Sequence, residues 1–103
     1  MKRMMFHSRL KPECVKEYVR QHKKVPPKLL AAYRKAGITT IGCYLNGLDL
    51  FVYSEYDPKI YSKAKAALSR NPVEIRWQKH MASLRDQTFG NHEYKEVFFM
   101  GNK

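Results

Sequence analysis

The side chains able to exchange protons near neutral pH are four histidines, His7, His22, His80 and His92. No two of them share the close helical spacing that presents a pair of metal ligands, and no acidic cluster supports them, so no metal is expected. Neither a Ser/His/Asp set nor a Gly-rich phosphate loop is present. His22 stands out. It follows Tyr18 by one helical turn and Cys14 by two, so Tyr18 and His22 can project from one helix face that is otherwise apolar. An imidazole so placed could act as a general acid or base. The alternative is a half-buried histidine bonded to a backbone carbonyl, or a positive charge favoured at a helix C-terminus. Trp77, the single tryptophan, and Tyr44 each have two readings, as core or as an apolar wall for a sugar ring.

The elements that must position these residues are legible from period and punctuation. Residues 3–10 alternate weakly and read as a strand. Pro12 and Glu13 suit the first turn of a helix that carries Val15, Tyr18, Val19 and His22. Val25-Pro26-Pro27 stops it and opens a second helix, striped by Leu29, Leu30 and Tyr33 and closed by Gly37. Residues 38–45 and 48–56 are β-rich and flank Asn46-Gly47, the strongest short hairpin signal in the chain. Asp57-Pro58 caps a helix through Ser69, and Asn71-Pro72 caps another with Val73, Trp77, Met81 and Leu84 facing inward. A polar loop over 85–92 leads to a predicted strand over 93–100.

The order β-αα-β-β-αα-β predicts an α+β ferredoxin-like sandwich with a four-stranded antiparallel sheet, as one domain over residues 1–103. Helices on one face leave the other open. The strands put apolar side chains on both parities, so a second copy of the chain is expected to cover the open face as a dimeric α+β barrel.

Composition narrows the class. The chain has 103 residues, 44% hydrophobic and 13% aromatic, which excludes global disorder. No apolar run approaches the ~18 residues of a membrane span, so no membrane partner is expected. The basic start lacks an apolar stretch, so no secretory signal is read, and the two cysteines, Cys14 and Cys43, are expected to be reduced in the cytoplasm. The formal charge of +11 raises a basic nucleic-acid-binding module as an alternative. Its densest stretches, 16–24 and 59–70, lie along helical patterns without interleaved aromatics, which reads as solvated helix faces; no nucleic-acid partner is expected.

The run Glu17-Tyr18-Val19-Arg20-Gln21-His22, with Pro27 and Leu29, resembles the L-rhamnose mutarotase family. So do Tyr44-Leu45, Arg76-Trp77-Gln78-Lys79-His80-Met81 and the ending Lys95-Glu96-Val97-Phe98-Phe99. The resemblance spans nearly the whole chain. It implies a homodimeric α+β barrel that interconverts the α and β anomers of a free monosaccharide without cofactor or metal. The family's proton-donating histidine falls on His22 and a substrate-binding tyrosine on Tyr18. Its adjacent tryptophan pair falls on Trp77 and Gln78, and a further substrate-contacting tyrosine on Ile41; Gln78 and Ile41 depart from the pattern. The partner base is left open among Asp49, Glu55, a backbone carbonyl and water. The same architecture also hosts cofactor-poor monooxygenases and haem-handling proteins, a fold-level alternative for which the isolated histidines offer no evident haem ligand.

Overall fold

A computed structural model describes residues 1–101 of the chain. Strand β1 (Lys2–Arg9) leads through a 3₁₀ turn (Pro12–Cys14) into helix α1 (Val15–His22), followed by α2 (Pro27–Lys35). The hairpin β2 (Ile38–Asn46) and β3 (Asp49–Tyr56) comes next, then α3 (Pro58–Ser69), α4 (Pro72–Leu84) and β4 (His92–Tyr94). The strands form one antiparallel sheet in the order β2-β3-β1-β4, the ferredoxin-like arrangement expected from the pattern.

Local chemistry explains most boundaries. Pro27, Pro58 and Pro72 open α2, α3 and α4, where a missing N–H costs nothing. Asp57 accepts from the backbone N–H of Lys59 and Ile60, and Asn71 from that of Val73, so both predicted caps satisfy helix donors that would otherwise lack partners. Gly37 ends α2 at φ 89°, and an added Cβ would lie 2.9 Å from Ile60 Cβ, so both conformation and space require glycine.

The hairpin differs from its sequence reading by one residue. Asn46 pairs with Asp49, so the two central turn residues are Gly47 and Leu48, with positive φ at Gly47 (63°) only. A glycine at the first central position suits a tight hairpin as well as Asn-Gly does. A register irregularity between Ile38 and Thr40 then brings Ile38 and Ile41, three positions apart, to the same side of the sheet.

Alternation divides the sheet into two faces. Phe6, Ser8, Ile41, Cys43, Leu50, Val52 and Ser54 point toward the helices. Met5, His7, Tyr44, Phe51 and Tyr53 occupy the opposite, uncovered face. The core lies on the helix side, where Leu10, Tyr18, Leu50, Met81 and Leu84 form one buried cluster with Cys14, Val15, Val52 and Trp77 packed on it.

The predicted strand over 93–100 is corrected: β4 is three residues long, and residues 95–100 do not pair. Its ladder with β1 covers only Met5 to His7. Beyond Tyr94 the tail is held by side chains instead. Glu96 pairs with Arg3 (2.7 Å), whose guanidinium lies 3.6 Å from the Phe99 ring centre. Val97, Phe98 and Met100 are 93%, 83% and 83% exposed. An alternating apolar segment needs surfaces on both sides to stay extended and buried, and within one chain this tail is only partly covered. Among the described residues, no helix is long and apolar enough to cross a membrane.

Candidate active site

Between the helices and the inner sheet face lies a cavity of about 610 Å³, within the ~300–1,000 Å³ range of small-molecule sites. Tyr18 and His22 reach it from α1, Ile41 from β2, and Trp77 and Gln78 from α4. The five residues to which the family resemblance assigns site roles therefore line one space. Most of the remaining wall is apolar, including Phe6, Leu29, Leu30, Val52 and Met81.

His22 sits in the last turn of α1. Its Nδ1 lies 2.8 Å from the Tyr18 carbonyl oxygen. A carbonyl can only accept, so Nδ1 carries the proton and, in the neutral ring, Nε2 holds the lone pair. Nε2 has no hydrogen-bond partner among the described residues. The imidazole stacks on the Tyr18 ring, with centroids 4.0 Å apart and planes at 27°, and meets the edge of Trp77 at 5.1 Å. Ring orientation and tautomer are thus set on one side, and a nitrogen free to exchange protons is left on the other. The carbonyl-bonded arrangement, an alternative to a catalytic role at the level of sequence, is compatible with that role in three dimensions.

Tyr18 is 5% exposed and belongs to the core as well as the cavity wall. Burial pushes its phenol well above the usual tyrosine range, and the Cys43 thiol beside it adds to the effect, so the hydroxyl stays neutral and serves as a hydrogen-bonding group. Trp77 packs against the core cluster and also lines the cavity. Ile41 contributes an apolar patch. Gln78 lies at the cavity rim, where its Nε2 donates to the Tyr33 hydroxyl and to Glu74 Oε1, both at 3.3 Å. Tyr33 in turn donates to Glu74 Oε1 at 2.6 Å. Burial, then the carboxylate it faces, hold the Tyr33 phenol above its usual range.

Tyr33, Cys43, Arg85 and Asn91 line the same cavity and were not singled out from the sequence. Tyr33 was legible only as part of an apolar stripe, and the others lay in segments read as strand or loop. The two carboxylates considered as partner bases are elsewhere. Asp49 binds Arg9 and His7, and Glu55 accepts from Tyr53, all on the uncovered sheet face. Tyr44 also belongs to that face; it is 61% exposed and folds over Gly42. Of the other histidines, His7 joins Asp49 and Tyr94, His80 reaches Glu17, and His92 meets the Phe89 carbonyl.

Residues 3–100 match the family model described as L-rhamnose mutarotase. The chain belongs to the L-rhamnose mutarotase family. A curated member, L-rhamnose mutarotase of Acidiphilium cryptum (strain JF-5), is 33% identical over 86 residues, covering 82% of this chain and 80% of that protein. The crystal structure of an L-rhamnose mutarotase from Formosa agariphila superposes with a TM-score of 0.75 at 18% identity, over 98% of this chain and 100% of that one. An antibiotic biosynthesis monooxygenase superposes at 0.62 with 12% identity, over 94% and 99% of the respective chains. At these identities both superpositions speak for the fold, while the family rests on the sequence match. Within the mutarotase family, then, this chain presents a cavity of small-molecule size lined by a histidine with one ring nitrogen unengaged among the described residues.

Proposed function

We propose that this protein is a sugar mutarotase, interconverting the α and β anomers of free L-rhamnose or a related monosaccharide. The observation that carries this reading is the unengaged Nε2 of His22 in an apolar cavity of a chain belonging to this family. Mutarotation opens a cyclic hemiacetal and closes it on the other face. A proton must reach the ring oxygen as the C1–O bond breaks, and another must leave the anomeric hydroxyl. The reaction already runs in water, so general acid–base assistance of ~10²–10⁴-fold suffices. His22 in its protonated form delivers the ring-oxygen proton from Nε2 and recovers it on closure. Tyr18 orients the imidazole and bonds the sugar through its neutral phenol. Trp77 and Ile41 supply apolar walls for the C–H-rich face of the ring, and Gln78 contacts it at the rim. No metal or cofactor takes part, and the reaction is chemically complete without one.

The same reading extends to the assembly. Residues 1–103 form one mutarotase-like domain, and two copies pair through their uncovered sheet faces. Support comes from Met5, Tyr44, Phe51 and Tyr94 on that face and from the exposed Val97, Phe98 and Met100. A cytoplasmic setting agrees with two cysteines that do not pair.

The deciding experiment is saturation-transfer NMR of anomer exchange on L-rhamnose, L-fucose and their C2 and C6 variants. Accelerated exchange on at least one sugar is expected. A folded protein that accelerates none of them overturns the assignment. Light scattering at micromolar concentration is expected to give twice the 12.2 kDa chain mass, and a clean monomer would remove the dimer.

A further inference from the structure

The reaction needs a second proton-transfer group, and none of the described residues lining the cavity is a carboxylate. The carboxylate nearest in bonding terms stands one hydrogen bond behind the wall. Tyr33, on α2, lines the cavity and donates its phenolic proton to Glu74 Oε1 on α4 at 2.6 Å. Gln78, one helical turn beyond Glu74, donates to both, so the phenol and the carboxylate are tied to a common amide. The Tyr33 oxygen has two lone pairs. One accepts from Gln78, and the other is available to a hydroxyl in the cavity.

We propose that Tyr33 and Glu74 form the partner base, a phenol-to-carboxylate relay that takes the proton of the anomeric hydroxyl while His22 protonates the ring oxygen. This rests on the mutarotase reading. On opening, the His22 Nε2–H proton passes to the ring oxygen as the C1–ring-oxygen bond breaks. The anomeric O–H electron pair becomes the second bond of the C1 carbonyl. Its proton passes to the Tyr33 oxygen, and the proton already on Tyr33 moves to Glu74. Imidazolium and carboxylate become imidazole and carboxylic acid, with no net change of charge. Closure on the other face runs the same transfers backwards.

The relay removes a difficulty that a simple tyrosine base would have. Burial and the facing carboxylate keep the Tyr33 phenol protonated, so a resting tyrosinate is excluded. In a relay the phenol gains one proton as it gives up another. In the relay Tyr33 is the residue that meets the anomeric hydroxyl, whereas Glu74 acts through it. The titratable groups that face Tyr33 are Glu74 from α4 and Cys43 from β2.

The test compares Tyr33→Phe and Glu74→Gln with the unaltered full chain, using L-rhamnose as probe and anomer exchange as readout. Phenylalanine keeps the ring and removes only the oxygen. A folded Tyr33→Phe variant is expected to lose about 10²-fold in kcat with KM changed far less. Glu74→Gln keeps an acceptor for the phenol but cannot take a proton. It is expected to lose activity and also the low-pH limb of the rate profile, which a purely structural role would leave in place. If Tyr33→Phe keeps its rate within twofold while the unaltered chain is active, the relay is wrong and the mutarotase reading stands. If the unaltered chain accelerates no exchange, both are overturned. Should Tyr33→Phe fail to fold, a folded Glu74→Gln variant with an unchanged rate and an unchanged pH profile overturns the relay.

Discussion

His22 and His7 occupy the two sides of the same sheet and are built alike up to a point. His22 stacks on Tyr18 at 4.0 Å, and His7 stacks on Phe51 at 4.3 Å with planes at 18°. They differ in what their nitrogens do. Both nitrogens of His7 are engaged, Nε2 with Asp49 at 2.8 Å and Nδ1 with the Tyr94 hydroxyl at 2.6 Å. His7 thereby joins β1 to β3 and to β4. His22 spends one nitrogen on its own helix and leaves the other without a partner among the described residues, on a ring that lines the cavity. An imidazole with both nitrogens hydrogen-bonded is a brace, and one left half-partnered beside a cavity is, in the proposed mechanism, the reagent. Aromatic packing alone does not distinguish the two.

That contrast can be broken experimentally. The largest effect is expected for His22→Ala, which should lower anomer exchange by roughly 10² or more, about 3 kcal/mol or more of barrier, with the fold retained. An unchanged rate would strip His22 of its role. His7→Ala should do the reverse. It removes the bonds that tie Asp49 and Tyr94 to β1 through His7, so denaturant unfolding should show a small loss of stability, while exchange per folded molecule stays within a few-fold. A His7 variant with full stability and no activity would invert the comparison.

A smaller effect sharpens it. Hydrogen bonds from Arg9, then from His7, hold the Asp49 carboxyl below its usual range in the folded chain. A depressed folded-state pKa contributes stability above the unfolded value, about 4, and that contribution is lost as pH falls through the folded value. Melting temperature should therefore drop on acidification below about pH 4, and Asp49→Asn should flatten part of that slope. The side of the sheet that bears the brace would then carry an acid-sensitive contribution. A slope unaltered in the variant would show that the carboxylate's partners do not favour the folded state.

Several features were legible before any tertiary contact was known. Asp57 and Asn71 cap their helices because a short side-chain acceptor ahead of proline and a helical run has little else to do. The Tyr18–His22 pair follows from one helical turn of spacing. Other features lay beyond that reach. Asp49 and Glu55 looked available as bases until the register of β3 against β1 turned them to the uncovered face. The apolar alternation over 93–100 described a segment suited to two-sided burial but said nothing of what would cover it. Tyr33 and Glu74 stand 41 positions apart and meet only because α2 and α4 pack together.

The sequence by itself determined the elements and their order, the caps and glycines that bound them, and the helix face that carries Tyr18 and His22. These depend on neighbours within a few residues, whose spacing the chain imposes directly. Tertiary structure alone decided which sheet face each strand residue serves and which histidine keeps a free nitrogen. It also decided that a phenol on one helix would find a carboxylate on another. Those outcomes depend on register and on packing between distant segments, where one residue of slip reverses a side chain's direction and no local pattern records the result.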